Sequence, residues 1–158
     1  MSPPRLSYDA FARIAPTAQQ SLIAMGKQAD ESGIDKQIIE LVKLRVSQLN
    51  NCAFCLQIHL NVSRKLGIPQ EKLDLVATWE EAGIFSEKEC AALAWAEALA
   101  RLMGCSVSNE AYEAVRRHFS EEEIVFLSVS IATINAWNRL GAAFRFAPPI
   151  PKAARAAA

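Results

Sequence analysis

Apolar residues recur along this chain at helical spacing. Ala18, Leu22, Met25 and Ala29 stand at i, i+4, i+7 and i+11, one stripe of a helix that Pro16 opens and Gly33 ends. Ile38, Leu41, Val42, Val46 and Leu49 fall on one face of the next helix, which Asp35 can cap. Asn50-Asn51 interrupts the pattern, and Asn51, a good N-cap, predicts a further helix over 52–66 that Gly67 and Pro69 stop. A short helix is predicted over 70–82, closed by Gly83. Ser86-Glu-Lys-Glu89 reads as a capping box ahead of an Ala-rich helix over 90–103, ended by Gly104. Ser108 can cap a helix to His118, and Ser120-Glu-Glu-Glu123 is a second capping box, opening a long neutral helix from Ile124 to about Leu140.

These elements predict an all-α fold, a single-domain bundle of about seven or eight helices. Residues 1–15 read as an N-terminal arm with a helical turn over 8–14, residues 16–147 as the domain, and 148–158 as an extended tail that frays at its end. The two buried-looking helices share a pattern at an offset of 85: Leu41, Val42, Leu44, Val46, Leu49 and Asn50 match Phe126, Leu127, Val129, Ile131, Ile134 and Asn135.

Composition agrees with helices. Alanine, the best helix former, supplies 27 of the 158 residues against 6 Gly and 7 Pro, which nearly excludes an all-β chain. Lys plus Arg (17) balances Asp plus Glu (17), so no net field favours nucleic acid or acidic lipid as a partner. The N-terminus has no apolar stretch of signal-peptide type, and the uncharged runs 46–63 and 124–138 are too polar or too short to span a membrane, so a soluble, cytoplasmic protein is expected. Four cysteines in such a chain point to catalysis or metal binding more than to structural disulfides.

The chemistry concentrates at Cys52-Ala-Phe-Cys55 and His59. At i, i+3 and i+7 the three side chains share one helix face, and two thiols so placed are within disulfide reach. A position in the first turn favours the thiolate, and His59, one turn beyond Cys55, can take up the thiol proton. Competing readings remain. Zinc would need a fourth ligand from Cys90, Cys105 or His118, with no second CxxC to supply it. Two buried structural thiols are a further alternative. Haem attachment is excluded because Leu56 follows the second cysteine, and a thioredoxin-like domain because no βαβ pattern exists. Cys90 and Cys105 read as core cysteines and His118 as a helix-end residue.

With these residues in place, the run from Glu40 through Arg45, Ser47-Gln48 and Cys52-Ala-Phe-Cys55 to His59 resembles the signature of alkylhydroperoxidase D-like proteins, in the carboxymuconolactone decarboxylase-like superfamily. The stretch Ile134-Asn-Ala-Trp-Asn-Arg-Leu140 is similar to that family's C-terminal helix. One departure is Phe54, where the name-giving enzyme carries a further His. The resemblance implies a proton relay joining Glu40, His59 and the two thiols. With no formal charge between Arg45 and Arg64, a carboxylate arriving from Glu40 is the natural partner to orient His59; the bland alternative is a helix residue paired with Lys36 or Lys43.

The expected function is therefore a thiol peroxidase. Cys55 attacks a hydroperoxide, Cys52 resolves the product to a disulfide, and a dithiol partner, thioredoxin-like or dihydrolipoyl, restores the thiols without any bound cofactor. The rivals are a lactone decarboxylase-type enzyme, whose chemistry does not need a CxxC, and a non-enzymatic redox-sensing module. Similar proteins form trimers or hexamers, and Trp79, Trp95, Phe126 and Trp137 lie in helices that one core is not expected to cover fully, so a homo-oligomer is expected.

Overall fold

A computed structural model describes residues 3–102 and 104–151. Among these residues the chain is helical throughout, with no strand. In chain order the helices are α1 (Tyr8–Ile14), α2 (Pro16–Asp30), α3 (Lys36–Leu49), α4 (Ala53–Lys65), α5 (Gln70–Leu75), α6 (Trp79–Ala82), α7 (Glu87–Ala100), α8 (Asn109–Arg116) and α9 (Glu121–Phe144).

The start signals at Asp35, Ser86 and Ser120 act as written. Asp35 Oδ1 accepts from Gln37 N–H, and both capping boxes are complete, with Ser86 and Glu89, and Ser120 and Glu123, satisfying each other's backbone N–H groups. Several boundaries differ. The helix expected over 70–82 is broken by a 3₁₀ turn, Val76–Thr78, which turns buried Val76 inward before α6 begins. α7 opens directly after Ser86 and stops at Ala100, short of 103, and α9 runs on to Phe144. Met103 and the frayed end expected within 152–158 lie outside the described residues.

α3 is the centre of the molecule. The sequence pattern predicts one apolar face, but nine residues of α3 are buried, including Glu40, Lys43 and Ser47. The reason is that α3 serves two clusters at once. Ile38, Ile39, Val42 and Val46 pack with Ile124, Leu127, Ile131 and Ile134 of α9 and with Ala92, Trp95 and Ala96 of α7. Leu41 and Leu44 pack on the other side with Ile68, Leu73, Val76 and Leu93. A helix with apolar groups on every side stays helical by being covered on every side. Each fully buried Leu or Ile here contributes roughly 1.5–3 kcal/mol relative to exposure.

The N-terminal segment is fastened rather than free. Phe11 is buried, Arg5 N–H and Leu6 N–H donate to Phe144 O, and Phe146 is buried against Phe11 and Phe54. Two expectations about side chains fail. Trp95 is buried, with its indole N–H on Ser128 Oγ, so it leaves no apolar surface for a partner. Cys105 is exposed and Cys90 only half-buried, so neither is a core cysteine; Cys105 lies in the loop between α7 and α8, and Cys90 near the start of α7.

Candidate functional site

The α3–α4 corner builds the site. Asn51, not a helix cap, takes a left-handed conformation at φ 52°, which Asn tolerates better than most residues. Its N–H donates to Gln48 O (3.1 Å) and that of Cys52 to Ser47 O (3.0 Å), a Schellman closure of α3. Cys52 itself is therefore the N-cap of α4, and its Sγ accepts from Cys55 N–H at 3.3 Å. The corner needs no glycine and only one residue outside both helices beyond their caps. α4 thus folds back directly along α3, carrying His59 to Glu40.

Cys52 and Cys55 lie at disulfide-bonding separation, with Cα atoms 5.4 Å apart, and both are buried. His59 Nδ1 lies 2.7 Å from Glu40 Oε2; beside an ionised carboxylate, which only accepts, Nδ1 is the donor and the neutral ring keeps Nε2 as its acceptor nitrogen. Burial alone would push the Glu40 carboxyl up. The hydrogen bond and charge of His59, together with the Lys43 ammonium, outweigh it and hold this group below the ordinary carboxylate value. Cys55 and His59 share the wall of a cavity of about 350 Å³. Its lining is mainly apolar, from Tyr8, Leu22, Phe54, Ile58, Ile134 and Trp137, and Cys52 is not part of it. Phe54 stacks on Tyr8 at 5.4 Å between ring centres, so at the position of the family's further His this chain places a piece of apolar wall.

All four residues singled out in the sequence, Glu40, Cys52, Cys55 and His59, are thus brought together. Arg45 is not: its Nε donates to Glu97 Oε1 at 2.6 Å, within an ion cluster with Arg101 on the side of α7. Ser47 and the C-terminal helix support the corner instead. Asn50 Nδ2 donates to Asn135 Oδ1 (2.9 Å) and Asn138 Oδ1 (3.0 Å), and Asn138 Nδ2 donates to Ser47 Oγ (3.2 Å). The pair Asn50 and Asn135 from the 85-residue echo meets here. Neither Cys90, Cys105 nor His118 completes a metal site with the thiols: among the described residues no group of three or more His, Cys, Asp or Glu could hold an ion.

Gly141 escaped notice in the sequence. A Cβ at this position would lie 2.6 Å from Cys52 Sγ and 3.3 Å from Cys55 Sγ, so the α9 backbone rests directly on the sulfurs. A signal existed, since Gly inside a helix costs about 1 kcal/mol relative to Ala and asks for a packing reason. Lys43 bonds to both Glu40 and Asp30; its pairing with Glu40 is the one helical spacing allows, whereas nothing in the sequence points to Asp30.

Comparison with known proteins agrees with this architecture. The model of the Carboxymuconolactone decarboxylase family matches residues 16–98. The chain is 36% identical over 133 residues to the uncharacterized protein YdfG of Bacillus subtilis, covering 84% of this chain and 90% of that protein. It superposes with TM-score 0.87 and 35% identity on a crystal structure of an Agrobacterium tumefaciens protein of unknown function with a suggested role as the antioxidant defence protein AhpD, covering 94% of this chain and all of that one. The debrominase Bmp8 is similar in fold, with TM-score 0.76 at 22% identity over 89% of this chain and 75% of its own. No helix among the described residues is long and apolar enough to cross a membrane.

Proposed function

The chain belongs to the carboxymuconolactone decarboxylase family, with an alkylhydroperoxidase D-like fold, and from that premise we propose that it is a thiol-dependent hydroperoxidase. The observation that carries the reading is the shared wall of one cavity. Cys55 lies there beside His59, whose other ring nitrogen is held by a buried carboxylate.

In this reading His59 Nε2 takes the proton of the Cys55 thiol, and Glu40 steadies the imidazolium that results. The thiolate attacks the distal oxygen of a hydroperoxide, the O–O bond breaks, and the alkoxide leaves as the alcohol with the proton from His59. Cys55 is now a sulfenic acid. The Cys52 thiol displaces water from it and closes the disulfide, so one peroxide has consumed two thiols. A dithiol reductant, thioredoxin-like or dihydrolipoyl, then attacks Cys55, the sulfur on the cavity wall. Cys52 departs as a thiolate, favoured by the Cys55 N–H that its Sγ already accepts at the start of α4. The reductant's second thiol then attacks the mixed disulfide, forms the reductant's own disulfide and frees Cys55. The retained cysteine pair supports this cycle over decarboxylase-type chemistry, which has no use for it. The apolar lining supports an organic hydroperoxide as substrate.

The test is peroxide consumption coupled to dihydrolipoamide or to thioredoxin, with intact-mass analysis after alkylation. Mild peroxide is expected to remove two free thiols and make the Cys52–Cys55 peptide resistant to alkylation. Loss of Cys90 and Cys105 instead, or no peroxide consumption with either donor, overturns the proposal.

A further inference from the structure

The proposed relay ends on a cation that it does not use. Lys43 Nζ donates to Glu40 Oε1 at 3.0 Å and to Asp30 Oδ1 at 2.8 Å. Its side chain is 9% exposed, whereas that of Asp30, the last residue of α2, is 47% exposed. Each oxygen of Glu40 thus has one donor, the ammonium on Oε1 and the imidazole on Oε2. Lys43 also lines the cavity that holds Cys55 and His59.

We propose that Lys43, anchored by Asp30, is a positioning residue for the thiol chemistry: it fixes Glu40 with Oε2 toward His59 and keeps the shared proton on His59 Nδ1. The inference rests on the relay described above and deepens it.

The physical reason lies in how many protons the pair holds. With one, the carboxylate accepts from Nδ1–H and Nε2 is bare and basic. With two, wherever the second proton enters, Nε2 carries a hydrogen and the ring presents no basic nitrogen to the thiol. Burial of the carboxylate favours uptake of the second proton, since it removes the net charge from a poorly solvated place. An ammonium on the far oxygen of the carboxylate opposes that uptake, because it stabilises the charged form. Asp30 assists Lys43 in this, since its carboxylate supplies a second acceptor for the otherwise poorly hydrated ammonium. The remaining groups facing this chain add no competing pair. Lys27, also on the cavity wall, is near Glu31 at 3.5 Å, and α9 contributes Ser130 and Thr133, which carry no charge.

The test needs no peroxide. In a Cys52→Ser background, alkylation of Cys55 by iodoacetamide is followed from pH 5 to 9 by peptide mass spectrometry, for Lys43→Met, Lys43→Arg, Asp30→Asn and Glu40→Gln. Lys43→Met is expected to lower the rate at pH 7 about tenfold, the change for one unit of thiol pKa, and to move the profile to higher pH. Asp30→Asn is expected to act in the same direction by less, and Lys43→Arg to recover most of the loss. A fall in melting temperature with superimposable profiles for Lys43→Met and Asp30→Asn, while Glu40→Gln shifts, overturns this inference and leaves the relay standing. If Glu40→Gln also leaves the profile unmoved, the relay itself fails. Should Lys43→Met not fold, half-exposed Asp30→Asn decides alone: an unmoved profile overturns the inference.

Discussion

Gly141 brings the backbone of α9 onto Cys52 so closely that a Cβ there would sit 2.6 Å from its sulfur. The two cysteines are local in sequence, yet the surface that presses on them comes from a glycine 86 positions beyond Cys55.

This contact makes Gly141→Ala informative. Helix propensity alone would stabilise the variant by about 1 kcal/mol, whereas overpacking costs roughly 1–3 kcal/mol. Overpacking is expected to win, because the neighbour is a buried sulfur tied to α4 and not the end of a flexible chain. The expected outcome is a lower melting temperature and slower disulfide closure, read by thermal unfolding and thiol titration. A more stable protein with normal closure would show that α9 yields freely.

His59→Ala should lower the rate of Cys55 oxidation by about 10²–10⁴-fold at pH 7, the usual range for general acid–base catalysis. Glu40→Gln should act in the same direction. The double variant should lose much less than the sum of the singles, as expected for one coupled unit. Higher pH should rescue both, since hydroxide then removes the thiol proton. Wild-type rates in both variants would leave the cysteine pair as a switch or a structural element.

Stability should fall on acidification. Glu40, Glu89 and Glu97 are each pushed up by burial but held lower overall by their partners: His59 and Lys43, then Lys72 and the Ser86 N–H, then Trp79, Arg45 and Arg101. A carboxyl whose folded value is depressed stabilises the fold above its unfolded value and loses that contribution as pH falls through the folded one. Unfolding midpoints should therefore be level from neutral pH to about 5 and drop below the ordinary value of 4.5. Urea titrations across pH 3–7 measure this, and a level curve to pH 3 would remove the argument.

The oligomer expected from the resemblance remains a proposal with a direct test. Val125 on α9 is 54% exposed, Ile23 on α2 and Leu102 after α7 each 49%, and such residues are candidates for burial between copies. Light scattering is expected to give three or six times 17.3 kDa. A monomer at micromolar concentration would count decisively against assembly.

Much of this protein was legible in the order of its residues. Asp35, Ser86, Ser108 and Ser120 mark helix starts because capping is a local matter between a side chain and N–H groups two or three residues on, and Pro16 because its fixed φ suits the first helical position. Cys55 and His59 share a face by helical spacing in the same way, Cys52 joins Cys55 as the N-cap of α4 rather than as part of that face, and the motif marks Glu40. Errors gathered where a distant element decides. Asn51 has the chemistry of a helix cap, but its left-handed turn closes α3 and leaves the capping to Cys52. Cys105 has the composition of a core residue, but composition says nothing about which way a loop turns.

The tertiary structure alone decided which groups complete the site. Lys43 can pair with Glu40 by helical spacing alone, but its burial and its bond to Asp30 arise because α2 lays its last residue beside the middle of α3. Gly141 looks like a weak point in a helix, and it matters because α9 crosses the α3–α4 corner at contact distance. Propensity, capping and spacing act over a few residues and can be read from the chain. Burial, ion pairing and close approach depend on elements far apart in sequence, and only their packing sets them.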